Sequence, residues 1–343
     1  MLKRRLGESR IWFQLALTVG FLGLLAWRVD IGDALATFRD VSWLWVPLAL
    51  VVFTLAKVLH TVRWRIFFGS HRDVPFLGLL GIFLVHNMAN AVLLLRAGDV
   101  VRIQTTSQRY KIPRSELTAT VVVVETLLDG LTFVLLVVLA FSLGSIPGVL
   151  HVPFWTMAGL ALFGLTLGLI GANWLQADWL MNVYPFRWFS DDARESVVGM
   201  VRRFLDGMRT LREQRLAVPA MLFSIGGWLL EACSYWIFGE AFGLNLEFAD
   251  YLLVMMTANF AVSIPITPSG IGIYELAVQE VLVLLGVDSA LAAGYAIGTH
   301  LCLIIWITLV GLVAMWAMRL SAADIFYLKT PEEMDSSVQP EAP

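Results

Sequence analysis

The chain has 343 residues, of which 58% are hydrophobic and only 15% charged, with a formal net charge of −3 and a mean hydropathy of +0.76. Soluble domains carry about a quarter charged residues, so this chain lacks the polar side chains to cover a water-facing surface, and a soluble globular fold is excluded. The basic residues lie between apolar runs instead of along one face, which argues against nucleic-acid binding and marks them as topology determinants. Cys233 and Cys302 both fall inside apolar runs. They read as small packed hydrophobes, and neither a metal nor any other cofactor is expected.

Apolar runs near the ~20 residues that cross a bilayer occur at 11–27, 42–62, 117–143, 152–175, 217–242 and 290–318. The first follows Lys3, Arg4, Arg5 and Arg10 without a small-x-small cleavage site before Arg28, so it is expected to be a retained span. Two further apolar regions, 76–95 and 248–286, contain polar or helix-breaking residues. Charge decides their direction, because Lys and Arg accumulate on the cytoplasmic side. Lys/Arg totals are four before the first span, two in 28–40, three in 63–72, five in 96–114, none in 145–151, seven in 176–216 and none between Arg215 and Arg319. Region 76–95 is basic on both flanks and so should enter and leave from the cytoplasm. Region 248–286 should re-enter from outside, which lets the last span return to Arg319 and Lys329. This places 21 of the 24 basic residues inside, two outside and Lys57 within the membrane. Trp27, Trp43, Trp45 and Trp155 then fall at the outer interface, and Trp12, Trp64, Trp174 and Trp316 at the inner one.

The expected fold is an all-α polytopic membrane protein with six transmembrane helices, two re-entrant helical hairpins and an inverted-topology repeat. Residues 1–144 form the first repeat and 145–320 the second, with an amphipathic cytoplasmic helix at 191–215, and the acidic, proline-bearing tail 321–343 is disordered. Met88-Ala89-Asn90 before Arg96-Ala97-Gly98-Asp99 resembles Thr257-Ala258-Asn259 before Pro268-Ser269-Gly270, with Ala-Asn and a later Gly in common. Paired broken helices at a repeat interface are the usual substrate site of alternating-access carriers.

Three constellations can carry chemistry. The run Ser263 to Gly272 holds Pro265, Pro268, Gly270 and Gly272 and cannot be continuous helix, so its free backbone groups must line protein or a wet cavity next to the helix opening at Glu275. Arg96, Asp99 and Arg102 flank the turn of the first hairpin, where two guanidinium forks can hold one phosphate. Glu125 and Asp129 share a helix face, and acids at such depth pair with cations or mark a path. Arg96 and Arg102 are the expected partners, with Lys57 a further candidate. Asn90, Asn259, Lys57 and His300 are secondary site residues, and His300 and Glu231 read either as proton relays or as satisfied buried polar groups. Nucleotide, metalloprotease and hydrolase motifs are absent from the sequence.

The motifs Leu95-Arg96-Ala97-Gly98-Asp99-Val100-Val101-Arg102, Val124-Glu125-Thr126-Leu127-Leu128-Asp129 and Pro265 to Glu275 resemble the transmembrane region of lysylphosphatidylglycerol synthases, a flippase-like family that also occurs free-standing. The family pattern has Glu, Arg and Gly where this chain has Asp99, Thr126 and Ser269. The resemblance implies movement of an anionic or modified phospholipid, or a lipid-linked intermediate, between leaflets; it is to the transmembrane region and not to the aminoacyl-transferase domain, so lipid synthesis is not implied. Two alternatives stand beside it: a non-catalytic partner that presents lipid to a synthase, and a membrane-embedded transferase. The expected partners are a phosphate-bearing lipid headgroup and a lipid synthase, with homo-oligomerisation left open. The expected location is the prokaryotic cytoplasmic membrane, with both termini inside.

Overall fold

A computed structural model describes residues 2–68, 74–93, 97–121, 125–174, 214–264 and 266–320, with the side chains of 2–13, 115, 119, 125, 126, 167–174, 214 and 215 outside that description. Every regular element among the described residues is helical. In chain order these are α1 (Leu2–Arg28), α2 (Ile31–Ala36), α3 (Trp45–Ile66), α4 (Phe76–Val92), α5 (Gly98–Tyr110), α6 (Arg114–Ala119), α7 (Glu125–Leu143), α8 (Gly148–Trp174), α9 (Gln214–Phe242), α10 (Phe248–Ser263), α11 (Ile273–Leu284) and α12 (Ser289–Ala317).

Four helices are long and apolar enough to cross a bilayer: α3, the Gly148–Thr166 part of α8, the Leu216–Phe242 part of α9, and α12. A fifth crossing results if Gln14–Arg28 and Ile31–Arg39, bent by 89°, act as one broken span. The bend arises at Asp30, whose carboxylate accepts from the backbone N–H groups of Gly32 (2.7 Å) and Asp33 (3.2 Å) and starts a new helix. The stretch 28–40 between the first two expected spans is therefore helical in part. The expected span 117–143 falls on α6, the helical residues 120 and 121, and α7, with 122–124 outside the described residues; Leu127–Leu143 is the apolar helical stretch described within it. The amphipathic helix expected at 191–215 lies outside the described residues except for 214 and 215, which open α9. The tail 321–343 lies outside them altogether.

The two interrupted regions each begin with a short apolar arm. Helix α4 starts after Pro75, whose ψ of 133° is not helical, and stops where Leu93 turns extended at ψ 142°. With 17 residues it spans about 25 Å, less than a ~30 Å hydrocarbon core. Helix α5 follows at Gly98 and ends at Lys111 in the left-handed region, φ 57°. In the second half, Glu247 and Asp250 cap the start of α10 reciprocally. Helix α10 stops at Ser263, because Ile264 precedes Pro265 and is held extended at ψ 111°.

Packing brings these arms to the middle of the molecule. Helix α3 lies along α9, α4 against α12 and against the turn at 268–270, α10 against α7 and α11, and α1 against α11. The shared core includes Phe53 of α3, Val137 of α7, Phe238 of α9, Leu252 of α10, Val278 of α11 and Tyr295 of α12. Large apolar side chains such as Val19, Leu48, Leu160, Leu222 and Val313 face outward, as a hydrocarbon environment requires. Trp27, Trp43, Trp45, Trp155 and Trp316 are exposed, as belt residues are, but Trp64 is 1% exposed. Its expected place in the inner belt is corrected: it is a core residue packed edge-on to Phe68.

Candidate functional site

A cavity of about 160 Å³ lies where the ends of α4 and α10 and the turn at 268–270 meet α3, α9, α11 and α12. Its polar lining is Lys57 from α3, His86, Asn87 and Asn90 from α4, Glu231 from α9, Asn259 from α10, Ser269 from the turn and His300 from α12. Both halves of the chain contribute, and three pairings fix its geometry.

The first is an ion pair across the halves. Lys57 Nζ lies 2.6 Å from Glu231 Oε2, with side chains only 12% and 3% exposed, and 4.2 Å over the Phe53 ring. Asn259 Nδ2 donates to the other Glu231 oxygen at 2.8 Å and to the Met255 carbonyl at 3.0 Å. Two charges out of water are tolerable only when paired and hydrogen-bonded in this way.

The second pairing closes the first hairpin. Asn90 Oδ1 accepts the Gly98 backbone N–H at 2.8 Å, while its amide lies 3.5 Å from His86 Nε2, and His86 Nδ1 is 3.4 Å from Asp99 Oδ1. A Cβ at Gly98 would overlap the His86 carbonyl and the Asn90 amide, so only glycine lets α5 start this close to α4. Asp99 sits in the first turn of α5, where a carboxylate also offsets the helix dipole.

The third closes the second hairpin. The segment is broken as its prolines and glycines require: Ser269, Gly270 and Gly272 adopt φ of 53°, 76° and 90°. Glu275 reaches back from the first turn of α11, its Oε2 accepting the Gly272 N–H at 2.6 Å, and its Oε1 lies 2.6 Å from His300 Nδ1. His300 Nε2 is 3.2 Å from the Ser269 carbonyl, and the His300 ring stacks on Tyr274 at 3.8 Å. Ser269 Oγ donates to the Ala91 carbonyl, which ties the tip of one hairpin to the end of the other.

A separate polar centre lies beyond Asn259. Arg63, 3% exposed, forks onto both oxygens of Asp129 and donates to Ser224 Oγ at 2.9 Å. Trp228 Nε1 donates to Asp129 at 2.8 Å. Asp129 and Trp228 edge a mostly apolar groove of about 490 Å³ that includes Phe133, Met256 and Phe260, with Asn259 bordering both groove and cavity.

The structure thus gathers Lys57, Asn90, Asn259, His300 and the turn at Pro268–Gly270 around one space, with Glu275 directly behind His300 and Asp99 behind His86. Among the described side chains two pairings differ from expectation: Asp129 is held by Arg63, and Lys57 is engaged by Glu231. Arg102 is fully buried with its guanidinium stacked on Trp64 at 3.8 Å and Phe83 at 4.9 Å, away from the cavity. Arg96 and Pro265 lie outside the described residues, as does the Glu125 side chain. Sequence reasoning missed His86, Tyr274 and Arg63 as site residues and left Glu231 without its partner Lys57. A signal for α3 did exist: Lys57, His60, Thr61 and Trp64 fall at i, i+3, i+4 and i+7, a stripe of polar and amphipathic side chains on one face of a mostly apolar helix.

The family model described as "Lysylphosphatidylglycerol synthase TM region" matches residues 11–311. Similar curated proteins include the chain named "Glycosyltransferase AglD" of Haloferax volcanii, 26% identical over 77% of this chain and 47% of its own length. Another is "UPF0104 membrane protein PH1989" of Pyrococcus horikoshii, 24% identical over 78% of this chain and 85% of its own. This chain therefore spans about half the length of the first of these relatives. No solved structure matches it.

Proposed function

Because the chain belongs to the lysylphosphatidylglycerol synthase transmembrane-region family, we propose that this integral membrane protein moves a phosphate-bearing lipid, or a lipid-linked intermediate, between leaflets. The observation that carries the proposal is the polar cavity built where two short apolar arms from opposite halves of the chain meet. Such a space at the junction of broken helices gives a headgroup hydrogen-bonding partners part-way through the hydrocarbon. The adjoining apolar groove, shared through Asn259, suits the lipid chain.

In this reading the halves 1–144 and 145–320 form the inverted repeat, with six spans, hairpins entering from opposite sides and both termini cytoplasmic. The packing supports it: the first arm of each hairpin lies against the last helix of the other half, α4 on α12 and α10 on α7. Recognition shifts from Arg102 to the cavity: Asn90 and Asn259 offer amide groups and Lys57 a cation that an incoming phosphate can compete for against Glu231. Arg96, which lies outside the described residues, is kept from the sequence as a candidate entry cation. A lipid synthase is the proposed protein partner.

The test is leaflet-resolved lipid exchange in proteoliposomes with a panel of headgroups, comparing wild type with the charge-balanced double variant Lys57→Met/Glu231→Gln. Exchange by wild type and its loss in a well-expressed double variant is the expected result. Equal exchange by both removes the cavity from the path. The likeness to a chain named a glycosyltransferase favours one second reading, a part in transfer onto a lipid-linked acceptor, which consumption of an activated donor by the purified protein would select.

A further inference from the structure

The geometry points to His300 and Glu275 as a proton-binding pair that controls whether the two hairpin tips stay joined, so that the proton is the ion coupled to the movement of lipid. The inference rests on the proposed lipid reading only for the word lipid; the proton site itself stands on hydrogen-bond chemistry.

His300 Nε2 faces the Ser269 carbonyl at 3.2 Å, and a carbonyl can only accept, so Nε2 carries a hydrogen. The other ring nitrogen, Nδ1, faces Glu275 Oε1 at 2.6 Å. A bare Nδ1 and a bare carboxylate oxygen both present lone pairs and repel at that distance, so one proton must lie between them. Whether it belongs to the imidazole or to the carboxyl group, the pair is neutral overall, which suits residues 4% and 7% exposed. The second Glu275 oxygen cannot relieve the arrangement by turning, because it already accepts the Gly272 N–H at 2.6 Å.

Removing that one proton to the cavity, which His300 lines, leaves a net negative charge and an imidazole with a single N–H for two acceptors; held on Nδ1 by the Glu275 carboxylate, that hydrogen leaves a bare Nε2 lone pair against the Ser269 carbonyl. The imidazole is the part free to yield, since Glu275 is held at the start of α11. When the ring withdraws, Ser269 loses the donor on its carbonyl, and the same residue's hydroxyl is what bonds Ala91 at the end of α4. Ser269 is the non-glycine residue in this turn with a left-handed backbone, φ 53°, a conformation that persists only while its surroundings hold it. Proton loss at His300 therefore loosens the contact between the hairpins, and proton uptake restores it.

The other titratable groups around the pair are accounted for. Lys57 and Glu231 neutralise each other at 2.6 Å, and His86 is turned toward Asp99 at 3.4 Å. Tyr274 stacks on the ring and directs its hydroxyl to Tyr235 at 3.4 Å, while the Tyr295 hydroxyl donates to the Tyr235 carbonyl. Helix α1 packs on the turn through Thr18 and Phe21 at Gly272, and its Arg28 is engaged by Glu280 further along α11.

The experiment places spin labels at Val92→Cys and Ser263→Cys, in a background without Cys233 and Cys302, and measures their separation in lipid nanodiscs as pH is varied. The distance should lengthen on raising pH in one single-proton transition. His300→Gln, whose amide can still donate to Ser269, should hold the short distance at every pH, and Glu275→Gln, which fixes a neutral partner, should do the same if His300→Gln fails to fold. A distance that ignores pH in the otherwise unaltered protein overturns the proton site. Lipid exchange under an imposed pH gradient is measured in parallel. Exchange that fails while the distance still follows pH removes the lipid reading and leaves the proton site standing, whereas exchange with a pH-insensitive distance removes the proton site and leaves the lipid reading.

Discussion

Asp129→Leu isolates the second polar centre. The substitution leaves the Arg63 guanidinium, 3% exposed, without the carboxylate that takes two of its N–H groups, and leaves Trp228 Nε1 without its acceptor. Removing one member of a buried pair costs about 3–5 kcal/mol. Because the Asp129 side chain keeps 28% of its surface accessible, the expected loss lies at the lower end, about 3 kcal/mol. Asp129→Asn preserves an acceptor but not the charge and should cost about 1–2 kcal/mol. The double variant Arg63→Met/Asp129→Leu removes both charges. Ser224 keeps its bond to Thr132 at 2.9 Å, so the double should recover to within about 1–2 kcal/mol of wild type, a coupling that only contacting residues show. Equilibrium unfolding in mild detergent measures these three together with the single Arg63→Met that completes the cycle, and the outward-facing Leu131→Ala is the control. Additive costs in the double variant, or an Asp129→Leu no worse than the control, would refute the pairing.

Topology is tested by single cysteines at the exposed Gln108 and Ser145 in a background lacking Cys233 and Cys302: an impermeant maleimide should label them from opposite sides, Gln108 from the cytoplasm. Labelling of both from outside ends the inverted repeat. Pro268→Ala with Gly270→Ala asks the turn to become helical; alanine at φ 76° costs about 1–2 kcal/mol if the turn is kept, so the chain should instead relax the break and lose lipid exchange while remaining folded. Normal exchange by the well-expressed double variant would show that the broken segment is not part of the path.

What could be read from the sequence was local or statistical. The break at 263–272 was legible because proline and glycine act on their own backbone, and the short arms were legible because the flanking charges and an interrupted apolar run say so directly. Asn90 and Asn259 could be paired by their matching neighbours. Which charge meets which could not: Lys57 and Glu231 are 174 residues apart and Arg63 and Asp129 are 66 apart, and nothing in either neighbourhood encodes the partner. Arg63 was disguised for a physical reason. It stands at the end of an apolar run with Arg65 beside it, just where positive-inside residues belong, and only packing shows that it turns inward while Arg65 is exposed. Trp64 was misplaced by the same logic, since a tryptophan at a span end is as compatible with a belt as with a platform for a cation.

That platform yields a test of what Arg102 is for. Its guanidinium carbon lies 3.8 Å from the Trp64 ring and 4.9 Å from the Phe83 ring, so one planar cation links α5 to α3 and α4. A desolvated contact of this kind is worth about 2 kcal/mol. Lysine keeps the charge, but its compact and strongly hydrated ammonium cannot stack flat between two rings. Arg102→Lys should therefore lower the unfolding temperature and lipid exchange together, whereas Arg114→Lys, at the start of α6, should change neither, because either side chain satisfies the charge rule for topology. The pattern of loss decides between roles. Exchange abolished at an unchanged unfolding temperature would return Arg102 to the headgroup, since a lost bidentate grip on phosphate harms binding without harming packing. Equal behaviour of the two lysine variants would refute the stack and leave Arg102 as one more positive charge on the inner side.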